Sequence, residues 1–156
     1  MGQSHFDASR HKWREVTGEP GLSYFVHHDY TILGYDLEAG TLDMVVRWGR
    51  DGGHCPLHRH VATTTVLVLE GEQHLCSLNA DGSRAEPIVR KAGDYALSVG
   101  RALPHFESGG ADGGMAFLGC HSTDRRLYEL LDEDQNLLID VTMELLIEDW
   151  KANTGS

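Results

Sequence analysis

The sequence has 156 residues, 40% of them hydrophobic, which is enough for one domain with a hydrophobic core. Its formal net charge of −11 argues against nucleic acid and anionic membranes as partners, because both carry dense negative charge. Three scattered cysteines without a CxxC pair indicate neither a disulfide framework nor a cysteine-rich zinc site. No stretch has the pattern of a signal peptide or membrane span, so we expect a cytoplasmic protein.

The first 139 residues contain the predicted strands. Residues 1–20 are polar and mixed, and we expect them to form an N-terminal arm or an edge strand. In residues 21–139, glycine and aspartate separate short segments rich in valine, threonine, leucine and aromatic residues: TLDMVVRWG, TTTVLVLEG, QHLCSLNADG, EPIVRKAGD, YALSVG and GMAFLGCH. Each is too short for a typical helix, and NADGS at 79–83 is typical of a hairpin turn. The pattern predicts an all-β sandwich or barrel.

The C-terminal part of the sequence predicts a change from strands to one helix. The segment LYELLDEDQNLLID is typical of two strands joined by an acidic turn. In residues 140–152, Val141, Leu145, Leu146 and Trp150 recur at helical spacing, and Asp140 is available as the N-cap. We therefore expect a C-terminal helix that packs on the barrel.

Histidines close to a predicted strand are the candidate functional residues. On a strand, His58 and His60 project to the same side, so two imidazoles can share one metal ion. A third ligand must come from elsewhere in the chain. The best source is GDYALSVGRALPHFE, where a turn precedes a strand and Pro104 stiffens the chain before His105.

The order of these residues resembles the paired motifs of the cupin superfamily. The resemblance covers Gly52, His58-x-His60 and Gly71, followed by Gly93-Asp94 and Pro104-His105. It implies a jelly-roll barrel, also called a double-stranded β-helix, at 21–139, with one divalent metal ion on His58, His60 and His105.

One departure from the motif bears on the chemistry. Most metal-binding cupins have a glutamate four residues after the second histidine, and this sequence has Thr64 there. Thr64 either packs in the barrel or hydrogen-bonds a ligand histidine or a bound water. We therefore expect no carboxylate on the ion. A divalent ion held by three neutral imidazoles keeps its full charge, which favours an anionic or enolisable small-molecule ligand.

The three-histidine pattern is similar to that of acetylacetone and dihydroxyacetophenone dioxygenases. This similarity implies a non-haem Fe²⁺ enzyme that uses O₂ to cleave a carbon–carbon bond in a small diketone or hydroxyketone. Imidazole ligands leave Zn²⁺, Ni²⁺, Cu²⁺ and Mn²⁺ open. A non-catalytic cupin that binds a metal or a small ligand is an alternative, and a metal-free isomerase or epimerase is another. We also expect a homodimer formed through edge strands.

Overall fold

The computed structural model describes residues 6–156, which form ten strands and one α-helix after a 3-10 turn at Ala8–Arg10. The elements are β1 (Arg14–Thr17), β2 (His27–Asp36), β3 (Thr41–Trp48), β4 (His58–His60), β5 (Thr63–Ser77), β6 (Ile88–Lys91), β7 (Tyr95–Val99), β8 (His105–His121), β9 (Arg126–Leu131), β10 (Leu137–Thr142) and α1 (Met143–Thr154). Within the described range, no helix combines the length and the apolar character needed to cross a bilayer.

The strands form one curled antiparallel sheet. Its main path runs β1-β2-β3-β8-β4-β9-β10, and β5 pairs with β6, β7 and β8. The long strand β8 connects the two halves, because its first residues pair with β4 and the end of β5, while its last residues pair with β3 and the start of β5. This architecture confirms the predicted all-β jelly-roll barrel with a C-terminal helix.

The strand β5 is longer than the glycine pattern predicts. The segments TTTVLVLEG and QHLCSLNADG were expected as separate strands, but β5 runs through both of them. Gly71 continues the strand with φ of +60°, and a Cβ atom there would lie 2.5 Å from the carbonyl oxygen of Gly113. A Cβ on Gly114 would lie 2.0 Å from the carbonyl oxygen of Glu72. These glycines mark a close approach of two backbones and not the end of a strand.

The two ends of the main sheet path are β1 and β10. The segment Arg14–Thr17 pairs with β2 as an edge strand, which is one of the two forms expected for residues 1–20. Residues 1–5 of that expected arm lie outside the described residues. Dimerisation through an edge strand stays a prediction.

The C-terminal helix begins later than the sequence pattern predicts. It spans Met143–Thr154, not 140–152, and its N-cap is Thr142, whose hydroxyl accepts a hydrogen bond from the Leu145 backbone N–H at 3.2 Å. The predicted cap Asp140 instead lies in β10 and pairs with Arg126 of β9 at 2.8 Å. Pairing between β9 and β10 holds the backbone extended as far as Thr142, so the helix starts only where that pairing ends.

The hydrophobic core fills the barrel and continues under the helix. Alternate residues of β3 and β8 point inward, and Met143, Leu146 and Ile147 of α1 are buried in the same core. A buried side chain of this kind contributes roughly 1.5–3 kcal/mol relative to exposure. The helix therefore packs on the barrel beside β1, β2 and β10.

Candidate metal centre

Four buried side chains converge inside the barrel: His58, His60, His105 and Glu107. Each offers one nitrogen or oxygen atom, and these atoms all lie within 4.8 Å of one another. Glu107 Oε1 is 3.6 Å from His58 Nε2 and 3.3 Å from His105 Nε2. Ligand atoms about 2.0–2.2 Å from one cation are separated by roughly 3–3.5 Å, so the cluster has the size of a single metal site.

Strand geometry brings these four residues together. In β4 the residues alternate, so His58 and His60 are buried while Arg59 points outward to Glu129. His58 is the direct register partner of His105 at the start of β8. Glu107 lies two residues beyond His105 on the same strand and therefore on the same face. The structure thus brings together the three histidines that the sequence singled out.

Hydrogen bonds on the far side of two imidazole rings orient them. Nδ1 of His58 lies 2.8 Å from the carbonyl oxygen of Pro56, which can only accept a hydrogen bond, so Nδ1 carries the proton and Nε2 keeps its lone pair. The Thr64 hydroxyl donates to the carbonyl of Ala62 and lies 3.4 Å from His60 Nδ1. Fixing the tautomer in this way is how outer partners prepare histidine for a metal ion.

The expectation that no protein carboxylate joins the histidines is wrong. Thr64 does occupy the motif position of the glutamate, but Glu107 supplies a carboxylate from β8, and its side chain is only 3% exposed. The signal was present in the sequence as His105-x-Glu107, which repeats the spacing of His58-x-His60. The motif points only to the four residues that follow His60, whereas Glu107 comes from another strand.

Two more polar residues extend from Glu107 away from the histidines. Gln73 Nε2 donates a hydrogen bond to Glu107 Oε2 at 3.1 Å, and Gln73 Oε1 accepts one from Arg90 Nη1 at 3.0 Å. Because Arg90 can only donate, it fixes which end of the Gln73 amide faces Glu107. This leaves Glu107 Oε1 directed at His58 and His105. Sequence reasoning gave no role to Gln73 or Arg90.

The protonation states suit a metal ligand set. Burial lowers the pKa of His60 well below its usual value, with further lowering from His58 and His105. Burial and His58 also lower the pKa of His105. Burial would raise the pKa of Glu107, but the imidazoles of His105 and His58 beside it outweigh burial and hold that pKa well below its usual value. His60 and His105 are therefore neutral donors beside an ionised carboxylate.

A large cavity of about 340 Å³ lies on one side of the cluster. His58, His60 and Glu107 form part of its wall. The rest is mainly apolar, from Val16, Met44, Val46, Leu118, Leu130, Ile139, Val141, Leu145 and Leu146. At the helix end, Asp149 pairs with Arg14 at 3.0 Å and accepts a hydrogen bond from the Tyr30 hydroxyl at 2.5 Å. That ion pair leaves this cavity without an unpaired charge from either residue.

A smaller cavity of about 140 Å³ lies on the other side. His60, Glu107 and Leu118 line both cavities, so the cluster separates them. The lining of the small cavity combines apolar residues such as Val66, Leu75 and Ile88 with the polar residues Thr64, Gln73, Ser77, Arg90 and Ser98. A ligand on the cluster could therefore extend into two very different environments.

No family model matches the sequence, and no curated protein matches it either. Solved structures do match its fold. An acetylacetone dioxygenase from Acinetobacter johnsonii superposes with a TM-score of 0.68 at 10% identity, covering 98% of this chain and 93% of that one. An RmlC-like cupin protein from Ralstonia eutropha superposes with a TM-score of 0.65 at 14% identity, covering 97% of this chain and 87% of that one.

A DMSP lyase from Ruegeria pomeroyi also matches, with a TM-score of 0.54 at 17% identity, covering 78% of this chain and 61% of that chain. The chain has the cupin fold. The cupin resemblance based on the histidine motifs is thereby confirmed at the level of architecture. A lyase and a dioxygenase share this cupin architecture, so the activity must be argued from the site.

Proposed function

We propose that this protein is a non-haem Fe²⁺ dioxygenase that cleaves a carbon–carbon bond in a small diketone or hydroxyketone. The observation that carries the proposal is the buried set of three histidines and one glutamate between two cavities. Four protein donors would leave two positions of a six-coordinate ion open, which is enough for the two oxygens of a chelating substrate. The similarity of fold to an acetylacetone dioxygenase is consistent with this reaction.

The donor types suit the proposed ion. Imidazole is a good ligand for iron, zinc, nickel and copper, and a carboxylate adds affinity for harder ions such as manganese. A ferrous ion held by His58, His60, His105 and Glu107 would supply Lewis acidity toward the two oxygens of an enolised ketone and electrons for dioxygen chemistry. Both oxygen atoms of O₂ end in the two carbonyl products.

The protein residues hold and isolate the reacting groups. Pro56 and Thr64 orient the imidazoles of His58 and His60. The apolar wall of the large cavity accepts the hydrocarbon part of a substrate and limits water beside the cluster. The Tyr128 ring, 5.7 Å from the His58 ring between centroids, closes part of that wall.

Oxygen consumption tests the proposal directly. Protein loaded with Fe²⁺ without oxygen is mixed with aerated β-diketones and aryl hydroxyketones, and an oxygen electrode and mass spectrometry follow the reaction. We expect one O₂ consumed per substrate and two carbonyl products that contain both oxygen atoms. The Zn²⁺-loaded protein is the control, because zinc has no redox chemistry.

An Fe²⁺-loaded protein that binds its ion and consumes no oxygen across the panel would overturn the enzyme proposal. That result would support the non-catalytic alternative, a cupin that binds a metal or small ligand. Isomerisation or epimerisation catalysed by the metal-free protein would instead support the isomerase or epimerase alternative.

A further inference from the structure

The small cavity contains an arginine without an acidic partner among residues 6–156. Seven of the ten arginines have a carboxylate oxygen within 4.0 Å. Of the other three, Arg84 and Arg101 are exposed and only Arg90 is partly buried. In a chain with 24 acidic residues, a half-buried arginine left unpaired inside a cavity calls for a physical reason.

The donors of Arg90 are not saturated by the described residues. Its guanidinium makes one hydrogen bond, from Nη1 to Gln73 Oε1 at 3.0 Å, although arginine carries five N–H donors. A planar guanidinium is suited to bind a carboxylate through two parallel hydrogen bonds. Ser77 and Ser98 line the same cavity and offer hydroxyl donors. The cavity thus offers a small carboxylate a positive charge and several hydrogen-bond donors.

The position of Gln73 keeps the charge of Arg90 available. Gln73 stands between Arg90 and Glu107 and bonds to both, so the two charged groups make no direct ion pair. With a divalent cation on the cluster, the negative charge of Glu107 and the positive charge of Arg90 offset each other. The pocket as a whole then keeps two formal positive charges and favours an anion.

The two cavities together favour a ligand whose two ends differ in polarity. His60 and Glu107 line both cavities, so a ligand bound at the cluster reaches the small polar cavity at one end and the large apolar cavity at the other. We propose that the substrate is a dioxo acid, a β-diketone with a carboxylate paired to Arg90 and an apolar group in the large cavity. This inference rests on the proposed function because it takes the cluster as a metal centre.

Binding to the redox-inert Zn²⁺-loaded full chain tests the inference without turnover. The probes are 2,4-dioxopentanoate and its methyl ester, which keeps the diketone and removes the negative charge. Calorimetric titration should give a dissociation constant at least about tenfold lower for the acid, as expected for a charge-assisted pair. Equal affinities for acid and ester would overturn the proposal.

Variants then assign the preference to Arg90. In Arg90→Gln the dissociation constants of acid and ester should become about equal, and the ester should bind within about twofold of its wild-type affinity. Arg90→Lys keeps the charge without the planar fork and should give an intermediate preference. Arg101→Gln is the matched control, an exposed and unpaired arginine near the cavity, and should keep the full preference.

Two other outcomes would overturn the role of Arg90. If Arg90→Gln weakens acid and ester equally, Arg90 acts through Gln73 and Glu107 on the cation. If the preference survives in Arg90→Gln, the carboxylate binds the zinc ion. Zinc content and thermal unfolding of each variant verify that the site and fold are intact. Absence of oxygen consumption in the Fe²⁺-loaded protein would overturn the proposed function alone, because the zinc experiment involves no oxygen.

Discussion

The two cavities beside the histidine cluster share part of a wall but differ in chemistry. The large one, about 340 Å³, is lined mainly by apolar residues of β3, β8, β10 and α1, and its arginine is paired with Asp149. The small one, about 140 Å³, has a mixed lining that includes polar residues of β5, β6 and β7, and its arginine has no acidic partner among the described residues. The difference shows that the barrel supplies both a hydrophobic and a charged side to a single donor cluster.

Removing a donor that lines both cavities should have the largest effect. His60→Ala takes away a buried nitrogen of the cluster, and we expect metal affinity to fall by more than about a hundredfold, beyond the usual effect of losing an outer partner. Competition with a chelator measures it. His74→Ala is the control, because His74 is 39% exposed, pairs with Glu72 and lines neither cavity. Unchanged affinity in His60→Ala would show that the cluster is not the metal site.

Shortening a buried residue of α1 should affect the large cavity alone. Leu146 is 4% exposed in the wall of that cavity, whereas its neighbour Leu145 is 42% exposed. We expect Leu146→Ala to lower the free energy of unfolding by about 2–5 kcal/mol and Leu145→Ala by less than about 1 kcal/mol. Urea denaturation followed by circular dichroism compares them. Equal losses would mean that Leu146 is no better buried than Leu145 in solution.

Removing the charge of the shared carboxylate should have a smaller effect on metal binding than removing a histidine. Glu107→Gln keeps the shape and a partner for Gln73 but loses the negative charge beside the cation. We expect metal affinity to fall about 10–100-fold. Glu86→Gln, at an exposed carboxylate, should leave affinity unchanged. Equal affinity for Zn²⁺ in Glu107→Gln and the wild type would restore the original expectation of a site with three histidines only.

The smallest expected effect is that of pH on metal binding near neutrality. The lowered pKa values of His60 and His105 mean that both rings are already neutral at pH 7, so neither loses a proton to the metal. We expect affinity to change little between pH 7 and pH 8 and to fall only as the pH drops through those lowered values. His28, in the large cavity, shows the same effect of burial and His58, which lower its pKa to about 4.

Calorimetry in two buffers of different ionisation enthalpy counts the protons released per ion. A release near zero from these two histidines is expected, and two or more protons per ion at pH 7 would contradict the assignment of their neutral state.

The sequence predicted those parts of the site that lie close together in the chain. Strand alternation was sufficient to place His58 and His60 on one face, since residues two apart on a strand always share a side. The fold class followed from the strand-length segments and the histidine motifs. Glu107 was missed because the motif directed attention to Thr64, and the donor came from a strand 47 residues downstream of His60.

Other differences have the same physical origin in long-range pairing. The helix start moved to Met143 because β10 continues its hydrogen bonds with β9 through Thr142, which local helical spacing does not reveal. The strand β5 continues past Gly71 because it pairs with β8 on both sides of that residue. Residue 71 is a glycine because the backbone of β8 lies too close for a side chain.

The sequence by itself determined an all-β chain with two histidines on one strand face, because alternation and turn chemistry are local properties. Only the tertiary structure decided that Glu107 joins the three histidines, and that Gln73 and Arg90 stand behind it. These contacts depend on the antiparallel register of β4, β5, β6 and β8. Register is set by the packing of the whole barrel, which no local stretch of sequence encodes.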